Sequence, residues 1–314
     1  MPIVNDQQEE IVHQDQEIVH QQEEIVNQDQ EIVHQQEEIV NQNQQPIMQN
    51  NQHQVGNGTV TVIDVKSPIV FLFGPPSSGK TMTLVRLYRY FIKLGTRIDA
   101  ERSFVTGDGG DYERRCDVFP NDAMSDYAAE RTEGMAFMLL NIWKDTKKVC
   151  QILESPGERL FHPDPEQDKF PVHYVSSIIN SNNKKIYVFY LQPKWGDSTI
   201  RNRYVQRIAK VANDMKLGRD KVIFLYNKID ASPALGKFGK VDMDTLINEI
   251  NNSYPGLLNL FKNSNPITKI SKPYLCYLVP FQTGDYSDDT QGKRFTAGDD
   301  KYPQELWKTI QKCL

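Results

Sequence analysis

One eight-residue stretch, residues 74–81, constrains this chain more than any other. It reads GPPSSGKT and has the spacing G-x-x-x-x-G-K-[ST]. An apolar run at residues 69–73 precedes it, and a helical pattern through about Leu94 follows it. Glycines let the backbone pass close to phosphate oxygens, and the N–H groups at a helix N-terminus attract anions. The stretch therefore predicts a strand, a phosphate-binding loop and a helix. The alternative is an ordinary Gly/Ser-rich turn.

The loop supplies most of the candidate nucleotide-binding residues. Lys80 is expected to reach the β- and γ-phosphates, which also makes it a candidate catalytic residue. The Thr81 hydroxyl is expected to take a coordination position on Mg²⁺. The candidates in this loop are Gly74, Ser77, Ser78, Gly79, Lys80 and Thr81.

The formal charge of −5 hides a division of the chain. Residues 1–65 contain twelve Asp and Glu and no Lys or Arg, so the remainder is near +7. This modest positive balance, without a basic stripe interleaved with aromatic residues, makes nucleic acid an unlikely partner. The sequence contains neither a signal-peptide pattern nor an apolar run long enough to span a membrane, and its four cysteines are scattered. We therefore expect a cytoplasmic protein with no membrane partner.

Residues 1–45 form a separate low-complexity unit. Within it, residues 7–45 repeat two near-identical heptads, each carrying an Ile-Val pair among Gln and Glu. Successive Ile-Val pairs fall on one face of a helix, but the usual paired apolar seam of a coiled coil is absent because the d positions are all Gln. Three interpretations remain open: a helix that self-associates weakly, a disordered spacer, and a helix that binds a specific partner. Residues 46–58 read as a linker.

From residue 59 to the end, apolar runs alternate with amphipathic stretches. Strands are expected at residues 59–73, 185–191, 222–226 and 274–279, and helices at about 198–216, 242–252 and 303–313. Two apolar runs, 135–143 and 149–153, flank a polar turn and read as an antiparallel hairpin. Residues 96–131 lose periodicity and read as a long irregular segment. This alternation of strands and helices along the chain predicts an α/β fold with a mostly parallel sheet and one antiparallel hairpin.

A second motif, Asn-Lys-Ile-Asp at residues 227–230, follows one of these strands. A carboxylate at Asp230 can accept two hydrogen bonds from guanine N1–H and its 2-amino group, which adenine does not offer. With this motif, residues 59–314 resemble the translation-factor-related class of P-loop GTPases, which includes Ras-like and elongation-factor-like proteins. The resemblance implies a three-layer P-loop NTPase fold, GTP or GDP and Mg²⁺ as ligands, Lys228 along the base, and Asn227 tying this loop to the phosphate loop.

A third motif departs from the family pattern. The family has D-x-x-G at the end of the hairpin, whereas this chain has Glu154-Ser155-Pro156-Gly157. The resemblance makes Glu154 a metal-binding candidate and Gly157 a nucleotide-binding candidate, and the longer Glu side chain must shift the metal shell. Many relatives place a water-orienting Gln or His where this chain has Glu158, which is therefore a candidate catalytic residue. Its negative charge predicts slow hydrolysis or dependence on an arginine supplied by a partner.

The family also implies a switch threonine that touches Mg²⁺ and the γ-phosphate. Thr132 lies just before the hairpin and is the candidate for both the metal and catalytic roles, with Thr106 as the alternative. Arg131 is either an arginine finger supplied in cis or an ordinary surface arginine. The last base-contacting loop is expected near residues 281–284, although the family's S-A-K signature is missing there. Together with the divergent third motif, the long segment at about 96–134 makes the chain look like the bacterial GTPase-like proteins of multi-gene conflict systems.

These patterns lead to one functional expectation and two alternatives. The expectation is a GTP-binding and GTP-hydrolysing switch that uses Mg²⁺ and acts on a protein effector or with an activator, with segments 96–134 and 157–175 as its switches. The first alternative is a GTP-dependent scaffold that does not hydrolyse the nucleotide. The second is an ATP-using P-loop enzyme, for which the Asn-Lys-Ile-Asp match would be accidental.

Overall fold

The chain divides into two units, Met1–Asn50 and Asn51–Leu314. The computed structural model describes parts of the second unit: residues 52–55, 58–108, 110–126, 138–216, 218–290 and 292–314. The repeat at residues 7–45 lies outside the described residues, so its three interpretations stay predictions. Within the expected linker, residues 52–55 form a strand that pairs with its neighbour.

The described strands are numbered in chain order. They are β1 (Gln52–Val55), β2 (Gly58–Thr61), β3 (Ile69–Phe73), β4 (Ile98–Ala100), β5 (Val105–Thr106), β6 (Met138–Lys144), β7 (Lys147–Glu154), β8 (Lys185–Leu191), β9 (Lys221–Tyr226), β10 (Cys276–Pro280), β11 (Gly284–Asp289) and β12 (Gly292–Ala297).

The described α-helices are α1 (Lys80–Lys93), α2 (Asp111–Met124), α3 (Gly157–Leu160), α4 (His173–Asn180), α5 (Ser198–Asn213), α6 (Met243–Ser253) and α7 (Lys301–Cys313). Short 3-10 helices lie at Arg102–Phe104, Pro165–Gln167, Ile229–Ala231, Lys237–Gly239 and Leu258–Phe261.

A seven-stranded sheet, called the main sheet below, organises the described part of the chain. Its strand order is β10-β9-β8-β3-β7-β6-β4. Neighbouring strands from β10 through β7 are parallel, whereas β6 is antiparallel to both β7 and β4. Strands β3 and β8 lie in the middle, and all their residues are buried, which suits the apolar runs that make up all of β3 and all of β8 after Lys185. The α/β class, the mostly parallel sheet and the β6–β7 hairpin are confirmed, and the architecture is compatible with a three-layer fold.

The expectation of an irregular segment at residues 96–131 is wrong for most of its described part, which contains β4, β5 and the whole of α2. Pro120 lies inside α2, and the sequence around it is typical of a turn. The helix forms because Tyr112, Cys116 and Ala123 share one buried face, spaced four and seven residues apart. Tertiary burial therefore outweighs the local turn signal.

The expected continuous strand at residues 59–73 is wrong, because residues 62–68 separate β2 from β3 and the two strands lie in different sheets. Neither the small sheet that contains β2 nor the β11–β12 hairpin was predicted from the sequence. Strands β1, β2 and β5 form a small antiparallel sheet, and β11 and β12 form a hairpin after β10. The hairpin strands carry mostly polar residues, so they lack the alternation that marks a half-buried strand. A single anchor, Phe295, is buried against Met82, Val85 and Ala123 of the two neighbouring helices.

None of the described helices combines the length and the apolar character that a membrane-crossing helix requires.

Candidate functional site

The three sequence motifs lie at the carboxyl ends of three parallel main-sheet strands. Residues 74–79, called the 74–79 loop below, follow β3, Glu154 ends β7, and Asn227 follows β9. Because β7, β3, β8 and β9 run parallel, these ends meet at one edge of the sheet. Clefts at this edge are where open α/β sheets bind ligands.

Backbone geometry explains the glycine at the end of the 74–79 loop. Gly79 has φ +91°, in the left-handed region, and α1 begins at the next residue. A Cβ at Gly79 would also lie 2.3 Å from Asn227 Nδ2. A side chain at this position would therefore be strained and would displace Asn227.

Lys80 lies inside the loop rather than extending into solvent. Its Nζ donates hydrogen bonds to the carbonyl oxygens of Gly74 at 3.1 Å and Pro75 at 3.0 Å. Burial lowers the pKa of the Lys80 ammonium to about 8, and the negative charges of Glu154 and Glu158 oppose this shift. The arrangement holds a desolvated cation beneath a loop whose N–H groups can receive an anion.

Thr81 and Glu154 place two oxygen groups side by side. The Thr81 hydroxyl donates a hydrogen bond to Glu154 Oε1. Burial raises the pKa of the Glu154 carboxyl to about 7, and the hydrogen bond from Thr81 and the charge of Lys80 partly offset this rise. Oxygen donors are the ligands that Mg²⁺ prefers. The Glu154 side chain, which is longer than the Asp of the family pattern, therefore reaches the Thr81 hydroxyl. The two oxygen groups lie close enough together to hold one metal ion.

Within the ranges that the structure describes, no three His, Cys, Asp or Glu side chains form a group able to hold a metal ion. A nucleotide-bound Mg²⁺ does not need such a group, because it takes one or two protein ligands and fills its shell with phosphate oxygens and water. Thr81 and Glu154 fit that smaller donor set.

Gly157 brings the third motif against the 74–79 loop. A Cβ at this position would lie 2.4 Å from Pro76 N, 2.6 Å from Pro75 C and 2.7 Å from Lys80 Nζ. Two of these three atoms belong to the backbone and cannot rotate away. Glycine is therefore required here by close approach, in a short helix whose next residue, Glu158, is exposed.

We expect Gly157→Ala to separate the third motif from the loop. The free energy of unfolding should fall by about 1–3 kcal/mol, the usual cost of overpacking a tight contact. Thermal and denaturant unfolding would measure this loss. The matched control is Gly298→Ala, where the nearest atom to an added Cβ is 3.5 Å away. Equal stability of the two variants would contradict the close approach at Gly157.

Two arginines of α5 bind the segment that follows Gly157. The sequence did not indicate these contacts. Arg207 donates to Leu160 O at 2.7 Å and to Asp168 Oδ2 at 2.6 Å, and its guanidinium lies 4.0 Å from the centre of the Phe170 ring. Arg203 also pairs with Asp168, at 3.4 Å. The sequence predicted a helix at about residues 198–216 but contained no signal for these partners, which lie more than thirty residues away along the chain.

Residues 227–230 contact the 74–79 loop through one side chain. Asn227 is buried, and its Nδ2 donates to Ser78 O at 2.9 Å. Lys228 adopts a left-handed conformation with φ +58°, and Asp230 is exposed in the following turn. Burial lowers the pKa of Lys228, and the Asp230 charge opposes this shift. The tie that the family resemblance implied for Asn227 is therefore present in the geometry.

The segment after β10 reaches the same edge. The Phe281 N–H donates to Tyr226 O at 2.9 Å, and Phe281 O accepts from the Ile229 N–H at 3.1 Å. Thr283 is buried, and its Oγ1 accepts a hydrogen bond from the Tyr286 hydroxyl at 3.2 Å. The backbone of residues 281–284 is thereby held beside residues 227–230, where a last base-contacting loop was expected.

Three further residues were predicted to act as a switch threonine or as an arginine finger. Thr132 and Arg131 lie outside the described residues, so their roles stay predictions. Thr106, the alternative switch threonine, lies in β5 and pairs with Thr59 of the small sheet.

Ser78 Oγ and Asn227 Oδ1 are among the buried polar atoms at this edge that lack hydrogen-bond partners within the described residues. Buried polar groups without partners are costly and need an explanation. Both belong to residues that the motifs assign to nucleotide binding.

Comparison with known proteins adds no assignment. No family model matches the chain, and none of the curated proteins matches it.

Proposed function

We propose that this protein binds guanine nucleotides with Mg²⁺ and hydrolyses GTP as a molecular switch. The observation that carries the proposal is the convergence of three motifs that are separate in sequence. Glu154 contacts Thr81, Gly157 packs against the 74–79 loop, and Asn227 is bonded to Ser78. A chance G-x-x-x-x-G-K-[ST] match would not bring the other two motifs to the same loop.

The chain's own groups suit a polyphosphate. The 74–79 loop and the start of α1 supply backbone N–H donors, and Lys80 supplies a cation within the loop. Thr81 and Glu154 would hold Mg²⁺, which when bound neutralises charge on the phosphate oxygens. The unpartnered Ser78 Oγ fits a site that gains hydrogen bonds when occupied.

Guanine selectivity is assigned to Asp230. The carboxylate is exposed at the carboxyl edge of the sheet, beside the buried and well-anchored Asn227. Lys228 lies in the same turn and would lie along the base. The backbone contacts of Phe281 hold this turn in place, as directional hydrogen bonds to a base require.

The alternative of a non-hydrolysing, GTP-dependent scaffold has its own support. Glu154 and Glu158 are both close enough to influence the charge state of Lys80. Two carboxylates near the terminal phosphate would add to the negative charge there and repel the phosphate. Hydrolysis is therefore expected to be slow without an activating partner. We therefore expect the protein to hydrolyse GTP slowly when no partner is present.

The proposal is tested by equilibrium binding of fluorescent GTP, GDP and ATP with Mg²⁺, followed by single-turnover phosphate release. Selective GTP binding with phosphate release supports the switch. Selective binding without release over hours would favour the scaffold. Preference for ATP would contradict the role of residues 227–230 and, with it, the guanine-nucleotide proposal.

The proposed compartment is the cytoplasm. All four cysteines, Cys116, Cys150, Cys276 and Cys313, are buried free thiols. Free thiols suit a reducing compartment.

A further inference from the structure

A loop at the opposite edge of the main sheet presents apolar side chains to solvent. This loop, residues 262–275, joins the short helix Leu258–Phe261 to β10. An antiparallel bridge between Lys262 and Tyr274 closes its base, and the Leu275 N–H donates to Phe261 O at 2.7 Å. Because the loop leads into the amino end of β10, it lies at the sheet edge opposite the candidate nucleotide site.

Hydrogen bonds within the 262–275 loop hold its conformation. Asn263 Nδ2 donates to Thr268 Oγ1 at 2.9 Å and to Lys272 O at 2.8 Å. Asn265 Oδ1 accepts from the Ile267 N–H at 2.9 Å. Polar side chains therefore organise this turn internally, without burial of its isoleucines.

Ile267 is 84% exposed and Ile270 is 87% exposed, and Leu275 is 52% exposed. One exposed apolar side chain needs no explanation, but two almost fully exposed isoleucines in a single ordered turn form a candidate contact surface. Exposure this high means that no neighbouring wall surrounds either side chain. A protein partner would have to supply the whole pocket, whereas a fluid surface can close around them.

The charged side chains of the 262–275 loop all have one sign. Residues 250–284 contain no Asp or Glu, and three exposed lysines, Lys262, Lys269 and Lys272, lie in the loop. In the part of the chain that the structure describes, none of the three forms an ion pair. The loop therefore offers unneutralised positive charge beside its apolar side chains.

We propose that the 262–275 loop contacts the surface of an anionic lipid bilayer. Ile267 and Ile270 enter the boundary between headgroups and acyl chains, and the lysines face the anionic headgroups. Apolar insertion and electrostatic attraction act together in such peripheral binding. The sequence-based expectation of no membrane partner rested on the absence of a spanning segment, which surface contact does not require.

The test is co-sedimentation of the full chain with vesicles of mixed phosphatidylcholine and phosphatidylserine, and with vesicles of phosphatidylcholine alone. Binding is expected only to the mixed vesicles and should weaken as salt is added. The double variant Ile267→Asp/Ile270→Asp should bind at least about tenfold more weakly, because it loses apolar insertion and adds negative charge. The variant Lys269→Glu/Lys272→Glu should lose about fivefold or more per reversed charge.

The matched control is Lys144→Glu/Lys147→Glu, which changes the net charge equally in the exposed β6–β7 turn. It should keep wild-type binding, and thermal unfolding should show that all variants fold. Absence of preference for the anionic vesicles would overturn the proposal, as would equal binding of Ile267→Asp/Ile270→Asp and wild type. Association of the loop with a protein in place of vesicles would also overturn it.

Discussion

Lys80→Ala is expected to abolish triphosphate binding, lowering the affinity for GTP by at least about 100-fold. The ammonium lies within the 74–79 loop, hydrogen-bonded to Gly74 O and Pro75 O. No other described Lys or Arg side chain is bonded to the carbonyls of that loop. Removing Lys80 therefore leaves the bound phosphates without this nearby cation. Titration of fluorescent GTP into the variant measures the loss.

The control for Lys80→Ala is Lys93→Ala, at the other end of the same helix. Lys93 is exposed and pairs with Asp300 on the surface, so its loss should leave GTP affinity unchanged. Thermal unfolding separates a binding defect from a folding defect. Unchanged GTP affinity in a folded Lys80→Ala protein would refute the assignment of the 74–79 loop to phosphate binding.

Asp230→Asn is expected to change base preference from GTP towards XTP. The Asp230 carboxylate can accept from guanine N1–H and the 2-amino group, and an amide in its place can donate to the 2-oxo group of xanthine. Loss of hydrogen bonds to a charged acceptor should lower GTP affinity by about 100-fold. Competition titrations with GTP, XTP and ATP measure the preference.

The matched control is Asp244→Asn, an exposed carboxylate in the first turn of α6. It removes the same charge without touching residues 227–230, so the preference for GTP should persist. If Asp230→Asn also kept that preference, Asp230 would have no part in base recognition. Because Asp230 is exposed, its substitution is expected to change stability by less than about 0.5 kcal/mol.

Local sequence determined the elements that carry the motifs. The apolar run at Ile69–Phe73 and the glycines that follow it predicted β3, the 74–79 loop and α1. Strand β8 was predicted with the bounds it has, and β9 and α6 to within a residue. Such segments are predictable because their periodicity and their terminal residues act over only a few positions.

Segments with conflicting or weak local signals were decided by packing. Helix α2 forms despite Pro120 because Tyr112 and Cys116 bury one face of it. The β11–β12 hairpin forms from polar strands because Phe295 finds an apolar pocket on α1 and α2. In both cases burial of a few side chains against distant residues outweighs the local preference.

The candidate site also combines features that local sequence determined with features that tertiary contacts determined. Sequence alone determined which residue types stand at the carboxyl ends of β3, β7 and β9, and therefore which chemistry the site could support. The family resemblance implied a tie from Asn227 to this loop, but only the tertiary structure decided that its partner is Ser78 O. The tertiary structure alone also decided that Gly157 leaves no room for a Cβ beside Pro76 and that Glu154 reaches Thr81. The physical reason is range: a motif specifies its own backbone and side chains, whereas contacts between motifs depend on the register and direction of the strands that carry them.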